Sequence, residues 1–363
     1  MRFSFWLLPV FLLLLAGCLP TRYAVYNFAD ITDFRKFEER KLPPSPQPFA
    51  FTAADKPLSP KSFSVNGQAY DFETYLRKNK TVAFLIIRND TLLYEKYFSG
   101  YRPDSRVASF SMAKSFTSLL IGAAIEDGLI QSVDDPVTAY IPQMARNGFD
   151  KVTLRQLLQM TSGLQFNESY YSPAAEAAAF YYGRNLRKRT LALKISGKPG
   201  AAFDYTSGST QILGLVLDRV LKGKTITEYF NEKVWGRLHP QYGAGWSIDQ
   251  KKDGLEKTFC CVNATAVDFA KVGKLLNEKG AFNGVRVLPE NWIAASTTPD
   301  TTDGGVRFYK YQWWLAPGAT YAAGHLGQYI FSFPEKNLII VRLGKAEGKA
   351  PWRRIIGGLA ASL

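Results

Sequence analysis

The chain has 363 residues, 46% of them apolar and 14% aromatic, which is enough to bury a large core and too apolar for a disordered protein. Its two histidines and three cysteines fall at no zinc-ligand spacing, so no metal or cofactor is expected. The formal net charge of +14 is not gathered on a nucleic-acid-binding motif; it suits an anionic envelope surface or an acidic substrate and excludes nucleic acid as a partner.

In chain order, Arg2 precedes an apolar run over 3–15 that is shorter than the roughly 20 residues of a membrane span. Residues 1–17 read as a secretory signal with a small-residue cleavage site. Leu15-Ala16-Gly17-Cys18 looks like a bacterial lipobox, in which Cys18 is acylated and becomes the mature N-terminus. The expected location is the cell envelope; Leu19 after the cysteine favours the outer membrane if the host is Gram-negative. Residues 18–62 hold Pro43, Pro44, Pro46, Pro48, Pro57 and Pro60 and are expected as an extended, lipid-anchored tether. The globular domain is expected over 63–363.

Within it, the β-rich runs 82–88 and 92–98, joined at Asn89-Asp90, signal a hairpin. A helix is expected from Ser111 to about Asp127, stopped by Gly128. Thr153 is an N-cap candidate for the next helix, and 207–221 and 264–277 read as others. Two β-runs, 329–333 and 338–343, flank the turn Pro334-Glu335-Lys336-Asn337, and 352–363 closes the chain as an amphipathic helix. Strands at both ends must meet to hide their edges. The expected fold class is therefore α+β: one antiparallel sheet flanked by helices in three α/β/α layers, built from 63–128 and 300–363, with 129–299 inserted as a mostly helical region. Cys260 and Cys261 are adjacent, with Cα atoms about 3.8 Å apart, below the usual disulfide range. Two buried, unpaired thiols are expected there.

Ser111 and Lys114 are three apart, so they share one helix face. Phe110, Met112, Ala113, Phe116, Leu119 and Leu120 make that helix apolar nearly all round, and a lysine inside it must be paired or lose its charge. A serine hydroxyl is a weak nucleophile until a base takes its proton. Lysine serves as a base when its pKa falls from about 10.4 to about 7–8, a displacement worth about 4 kcal/mol. Burial and the positive end of the helix both act in that direction.

Phe203-Asp204-Tyr205-Thr206-Ser207-Gly208 and Gly324-His325-Leu326-Gly327-Gln328 follow in order. With Ser111-x-x-Lys114, they resemble the three motifs of the serine β-lactamase and penicillin-binding-protein superfamily, and more narrowly the class C β-lactamase-type esterases and 6-aminohexanoate-dimer hydrolases. The stretches 153–164, 260–266 and 327–330 are similar too, so the resemblance covers roughly 82–363. It implies a β-lactamase/transpeptidase-like fold, Ser111 as acyl-accepting nucleophile, and Lys114 with Tyr205 as general base and acid. Which of the two is the formal base stays open, because the groups titrate together. Tyr205 is expected to hydrogen-bond both Lys114 and Ser111. The resemblance further implies an oxyanion hole from the backbone amides of Ser111 and Gln328, and substrate contacts from Ser207, His325 and Gly327. Tyr170 is similarly placed to a substrate-contacting tyrosine of the nylon-oligomer hydrolases, with Tyr171 as the alternative register.

Two positions depart from the β-lactamase pattern: Ser207 stands where Asn is usual, and His325 where Lys is usual. Both departures argue against β-lactamase activity and for an ester or amide substrate with a less anionic acyl part. The expected function is a lipid-anchored serine hydrolase of small or short-peptide substrates. The alternatives are a peptidoglycan D,D-carboxypeptidase or D-aminopeptidase, and a non-catalytic lipoprotein that binds muropeptides or a partner. His239, in Leu238-His239-Pro240, has no catalytic context.

Overall fold

A computed structural model describes residues 19–26, 28–65, 67–172 and 174–363. The signal segment and the lipidation site expected at Cys18 lie outside the described residues. Among the described residues no helix is long and apolar enough to cross a membrane.

The chain begins with α1 (Leu19–Tyr26), β1 (Glu39–Leu42) and β2 (Thr52–Ala53), then α2 (Phe72–Lys78), β3 (Thr81–Arg88), β4 (Thr91–Tyr97) and β5 (Val107–Ala108). The middle holds α3 (Met112–Glu126), α4 (Leu154–Leu158), α5 (Ser207–Val220), β6 (Ala244–Ser247), β7 (Val262–Ala264), α6 (Ala266–Asn277) and α7 (Glu290–Thr297). It ends with β8 (Tyr309–Lys310), β9 (Trp313–Ala316), β10 (Ala319–Gly324), β11 (Gln328–Phe333), β12 (Leu338–Gly344) and α8 (Trp352–Ser362).

The main sheet runs β8-β9-β10-β11-β12-β3-β4-β2. It is antiparallel except at its edge, where β2 lies parallel to β4. The two ends of the chain meet at β12 and β3, in register from Leu338↔Arg88 to Leu343↔Ala83. The β3–β4 hairpin turns at Asn89 and Asp90, both left-handed (φ 49° and 59°), a conformation these two residue types tolerate. Alternation along β3 makes the layers. Leu85 and Ile87 join one core with Phe116 and Leu119 of α3 and Phe269 of α6. Phe84 and Ile86 join the other with Phe72 of α2 and Trp352 and Ile356 of α8. Thr153 caps α4 through a reciprocal pair with Gln156.

Two expectations need correction. First, the stretch expected as a tether is fastened to the domain. β1 pairs with β6, from Glu39↔Ser247 to Leu42↔Ala244, and completes a second sheet ordered β1-β6-β7-β5. Arg40 pairs with Glu256 at 2.8 Å, Arg106 pairs with Glu39, and Arg22 of α1 donates to the Tyr182 carbonyl at 2.7 Å. Glu-Arg-Lys-Leu carries no apolar alternation because it is an edge strand, where charge is tolerated. The inserted region, expected as mostly helical, also contributes β6 and β7 to this second sheet. Second, Cys260 and Cys261 are bonded to each other in a vicinal disulfide, with Cα atoms 3.7 Å apart. The short spacing does not prevent the bond within a dipeptide whose second residue turns left-handed (Cys261, φ 76°).

Helix α3 is buried along nearly its whole length and meets α7 at Gly122. A Cβ there would lie 2.3 to 2.5 Å from three atoms of the Trp292 indole. Gly122→Ala gains about 1 kcal/mol of helix propensity and incurs about 1–3 kcal/mol of overpacking. A net loss of stability is expected in urea unfolding. An unchanged midpoint would mean that the indole can move aside.

Candidate active site

Strand β5 leads through Ser109 and Phe110 into the first turn of α3. Ser109 is held on both sides: its N–H donates to the Val262 carbonyl at 2.8 Å, and its Oγ accepts from the Val262 N–H at 3.1 Å. Phe110 then adopts a left-handed backbone (φ 46°), which costs a non-glycine residue about 1–2 kcal/mol. Its ring packs against His325 (5.5 Å between centroids) and Tyr181 (6.3 Å). This sharp turn brings Ser111 to the helix entrance, where it borders a narrow aromatic pocket with Ala29, Phe110, Tyr170, Tyr181, Cys260 and His325.

One turn into the helix, Lys114 is 1% exposed. Its Nζ lies 3.1 Å from Ser111 Oγ, 3.0 Å from Ser207 Oγ and 3.1 Å from the Phe259 carbonyl. Among the described residues, none of the ion pairs involves Lys114. Burial pulls its pKa down to about 8, against the opposing pull of the Glu168 charge. As an ammonium, Nζ donates to all three oxygens; on losing one proton it keeps two N–H groups for Ser207 and Phe259 and turns its lone pair to the Ser111 hydroxyl.

Tyr205 shares a side-chain hydrogen bond with Ser111, and burial holds its phenol above the ordinary range. It does not bond Lys114 as expected; the lysine Nζ sits 4.9 Å from its ring centroid. The three donors of the lysine are already met elsewhere, which is the physical reason. Ser207 opens α5 and receives Lys114 on its Oγ. Its own Oγ donates to Glu168 at 2.5 Å and its N–H to the same carboxylate at 2.7 Å. Tyr170 completes this cluster, with its hydroxyl 2.9 Å from Ser207 Oγ and donating to Glu168 at 3.1 Å. Burial and the Glu168 charge hold the Tyr170 phenol well above its usual pKa. Tyr171 points outward and is 70% exposed, so Tyr170 is the tyrosine that reaches the site.

His325 begins the turn between β10 and β11, stacked on Tyr170 with 6.2 Å between ring centroids. Burial keeps its imidazole below the ordinary pKa, against the Glu347 charge, so it is neutral at pH 7. Gly327 is left-handed (φ 80°) and Gln328 is fully buried. The Gln328 side chain is structural: it donates to the His325 and Gly344 carbonyls and accepts the Gly344 N–H. His239 lies away from this cluster, beside Ser45 and Gln47. Glu168 and the Phe259 carbonyl were not singled out from sequence. Neither a loop carboxylate nor a backbone oxygen carries a residue-type signal. Among the described residues, no group of His, Cys, Asp and Glu could hold a metal ion.

A family model described as Beta-lactamase matches residues 71–357, most of the chain. The chain belongs to the beta-lactamase family. This beta-lactamase-family chain is 29% identical over 297 residues to a 6-aminohexanoate-dimer hydrolase of Paenarthrobacter ureafaciens, covering 75% of this chain and 74% of that protein. Its fold matches that of a Bacillus anthracis protein assigned as a 6-aminohexanoate-dimer hydrolase, with a TM-score of 0.78, 26% identity, and coverage of 90% and 89% of the two chains. A family VIII carboxylesterase shares the fold at a TM-score of 0.62 and 18% identity, over 80% of this chain and 95% of that one. The family member described here is a serine hydrolase.

Proposed function

We propose that this serine hydrolase cleaves a short amide, or the corresponding ester, through an acyl-enzyme on Ser111. The observation that carries the reading is the buried Lys114 amine, bonded to Ser111, Ser207 and a carbonyl and, among the described residues, in no ion pair with a carboxylate. In this reading Lys114 takes the Ser111 proton as Oγ adds to the substrate carbonyl carbon. The resulting oxyanion is held by the N–H groups of Ser111 and Gln328, each such donor contributing about 2.7–4 kcal/mol. As the tetrahedral adduct collapses, the proton passes by way of Tyr205 to the leaving nitrogen or oxygen. Water then enters by the reverse route and frees the acid.

The neutral His325 and the aromatic lining favour an acyl part without a carboxylate near the reacting carbonyl. Tyr170, with its hydroxyl beside Ser207, is placed to contact the substrate amide. The likeness to two 6-aminohexanoate-dimer hydrolases supports amide over ester as the preferred bond. Export with a lipid on Cys18 is part of the same proposal. It is supported by Leu15-Ala16-Gly17-Cys18 and by the Cys260–Cys261 disulfide, which belongs in an oxidising compartment.

Fluorophosphonate labelling read by intact mass tests the reading. A single adduct on the wild type, absent from Ser111→Ala, is expected, followed by turnover of the linear 6-aminohexanoate dimer. A folded wild type that takes no adduct would overturn it.

A further inference from the structure

Arg342 on β12 is fully buried and stacked on the Trp352 ring, 3.8 Å from its centroid, and among the described residues it pairs with no carboxylate in an ion pair. Glu347, whose charge acts on the guanidinium, instead accepts the Tyr329 hydroxyl at 2.7 Å. All five guanidinium N–H groups are nonetheless used. Nε donates to Thr81 Oγ1 at 3.1 Å, and Nη2 donates to the carbonyls of Asn79 at 2.8 Å and Ala346 at 3.0 Å. Nη1 donates to the carbonyls of Leu326 at 3.3 Å and Gly327 at 2.5 Å. Two glycines make room for it: a Cβ on Gly327 would lie 2.2 Å from Nη1, and one on Gly344 would lie 2.5 Å from it.

An unpaired buried guanidinium is costly, since the charge leaves water without a counter-charge. Here burial lowers even its pKa, to about 9. The fold places that cation on the turn that begins at His325, whose ring lines the pocket beside Ser111. The Gly327 carbonyl and the Gln328 N–H belong to one planar trans peptide, so they point in opposite directions. A carbonyl clamped by Arg342 therefore sends the N–H away from the guanidinium. The same clamp polarises the peptide, which strengthens the donor at its other end.

We propose that Arg342 is a positioning residue of the oxyanion hole, fixing and polarising the 327–328 peptide so that the Gln328 N–H meets the developing oxyanion. This rests on the reading that Gln328 supplies that donor. Arg342 touches no substrate and acts only through the turn. A lysine in its place keeps the positive charge but cannot fork to Gly327 and to the Asn79 and Ala346 carbonyls together.

The test compares wild type and Arg342→Lys in three readouts: kcat and KM on an activated ester, the inhibition constant of phenylboronic acid, which mimics the tetrahedral adduct, and the melting temperature. A fall of about tenfold in kcat is expected, with KM within threefold and boronate affinity weakened by the same factor as kcat. A folded Arg342→Lys with unchanged kcat and boronate affinity overturns the proposal. So does a loss that tracks melting temperature while the ratio of boronate affinity to KM stays fixed. A wild type that neither takes fluorophosphonate nor binds the boronate sinks the catalytic reading, and this proposal with it. If Arg342→Lys does not fold, Thr81→Val removes one acceptor and leaves four: a threefold or greater fall in kcat at constant KM supports the proposal, and an unchanged kcat overturns it.

Discussion

Ser111→Ala is expected to lower kcat by about 10⁴- to 10⁶-fold, and Lys114→Met by at least about 10³-fold, with the double variant no slower than Ser111→Ala alone. In the proposed mechanism the two side chains, 3.1 Å apart, act as one unit, the hydroxyl being a nucleophile only while the amine takes its proton. Losing either therefore loses most of the covalent route, and the second loss adds little. Methionine nearly matches lysine in volume, which separates chemistry from packing. It also removes a buried amine whose pKa stands near 8 against an ordinary 10.5. Below pH 8 that displacement disfavours folding by about 3 kcal/mol, and the penalty fades as pH rises towards the unfolded value. Against this gain, Ser207 Oγ and the Phe259 carbonyl lose a donor, at about 1–3 kcal/mol. The melting temperature of Lys114→Met at pH 7 should stay near that of wild type. A folded variant that retains more than a tenth of wild-type kcat would remove Lys114 from the chemistry.

That this pair was legible in the sequence follows from its locality. Ser111 and Lys114 are one helical turn apart, and the apolar residues around them announce burial without any tertiary knowledge. The hairpin at Asn89-Asp90 and the Thr153 cap are legible for the same reason, since each is decided within a few residues. What locality cannot supply is the environment. The fall in the lysine pKa comes from burial, which needs Ser207 of α5 and Phe259, both far along the chain, packed around the amine. Glu168 holds Ser207 from a loop that carries no periodic signal. β1 escaped notice because Glu-Arg-Lys-Leu looks like solvated chain and earns its strand geometry from β6, some two hundred residues on. The helical insert hid β6 and β7, four and three residues long, too short for a period to be read.

The two departures from the β-lactamase pattern take on a physical meaning once placed. Where a lysine would hold a fixed charge, the half-buried His325 is neutral and stacked on Tyr170, so the pocket presents a flat apolar wall. Where an asparagine would offer an amide, the shorter Ser207 side chain leaves room for Tyr170 and Glu168 to close on it. On the proposed function, the substrate amide meets a tyrosine hydroxyl backed by a carboxylate. Selectivity for an uncharged acyl part is expected from this exchange, as is poor recognition of the carboxylate that a β-lactam carries.

The pH profile decides between the two candidate bases. With Lys114 as base the reactive form is the neutral amine, so kcat/KM should rise with pH to a plateau above about 8. At pH 6 it should be about 100-fold below the plateau, two decades for two pH units. An ionised Tyr205 as base would give a different curve, because burial holds that phenol above its ordinary range and the rate would still be climbing past pH 10. Glu168→Gln sharpens the test. The Glu168 charge raises the Lys114 pKa, so its removal should move the acid limb to lower pH. The amide also has one acceptor oxygen where the carboxylate offered two to the N–H and Oγ of Ser207 and the Tyr170 hydroxyl, so the plateau should fall by about tenfold from lost positioning. A lower plateau with the limb displaced downward assigns the limb to the amine and the charge of Glu168 to its control. A limb that stays in place would mean that Lys114 does not govern the profile, and one that moves upward would reverse the sign of the electrostatics argued for this site.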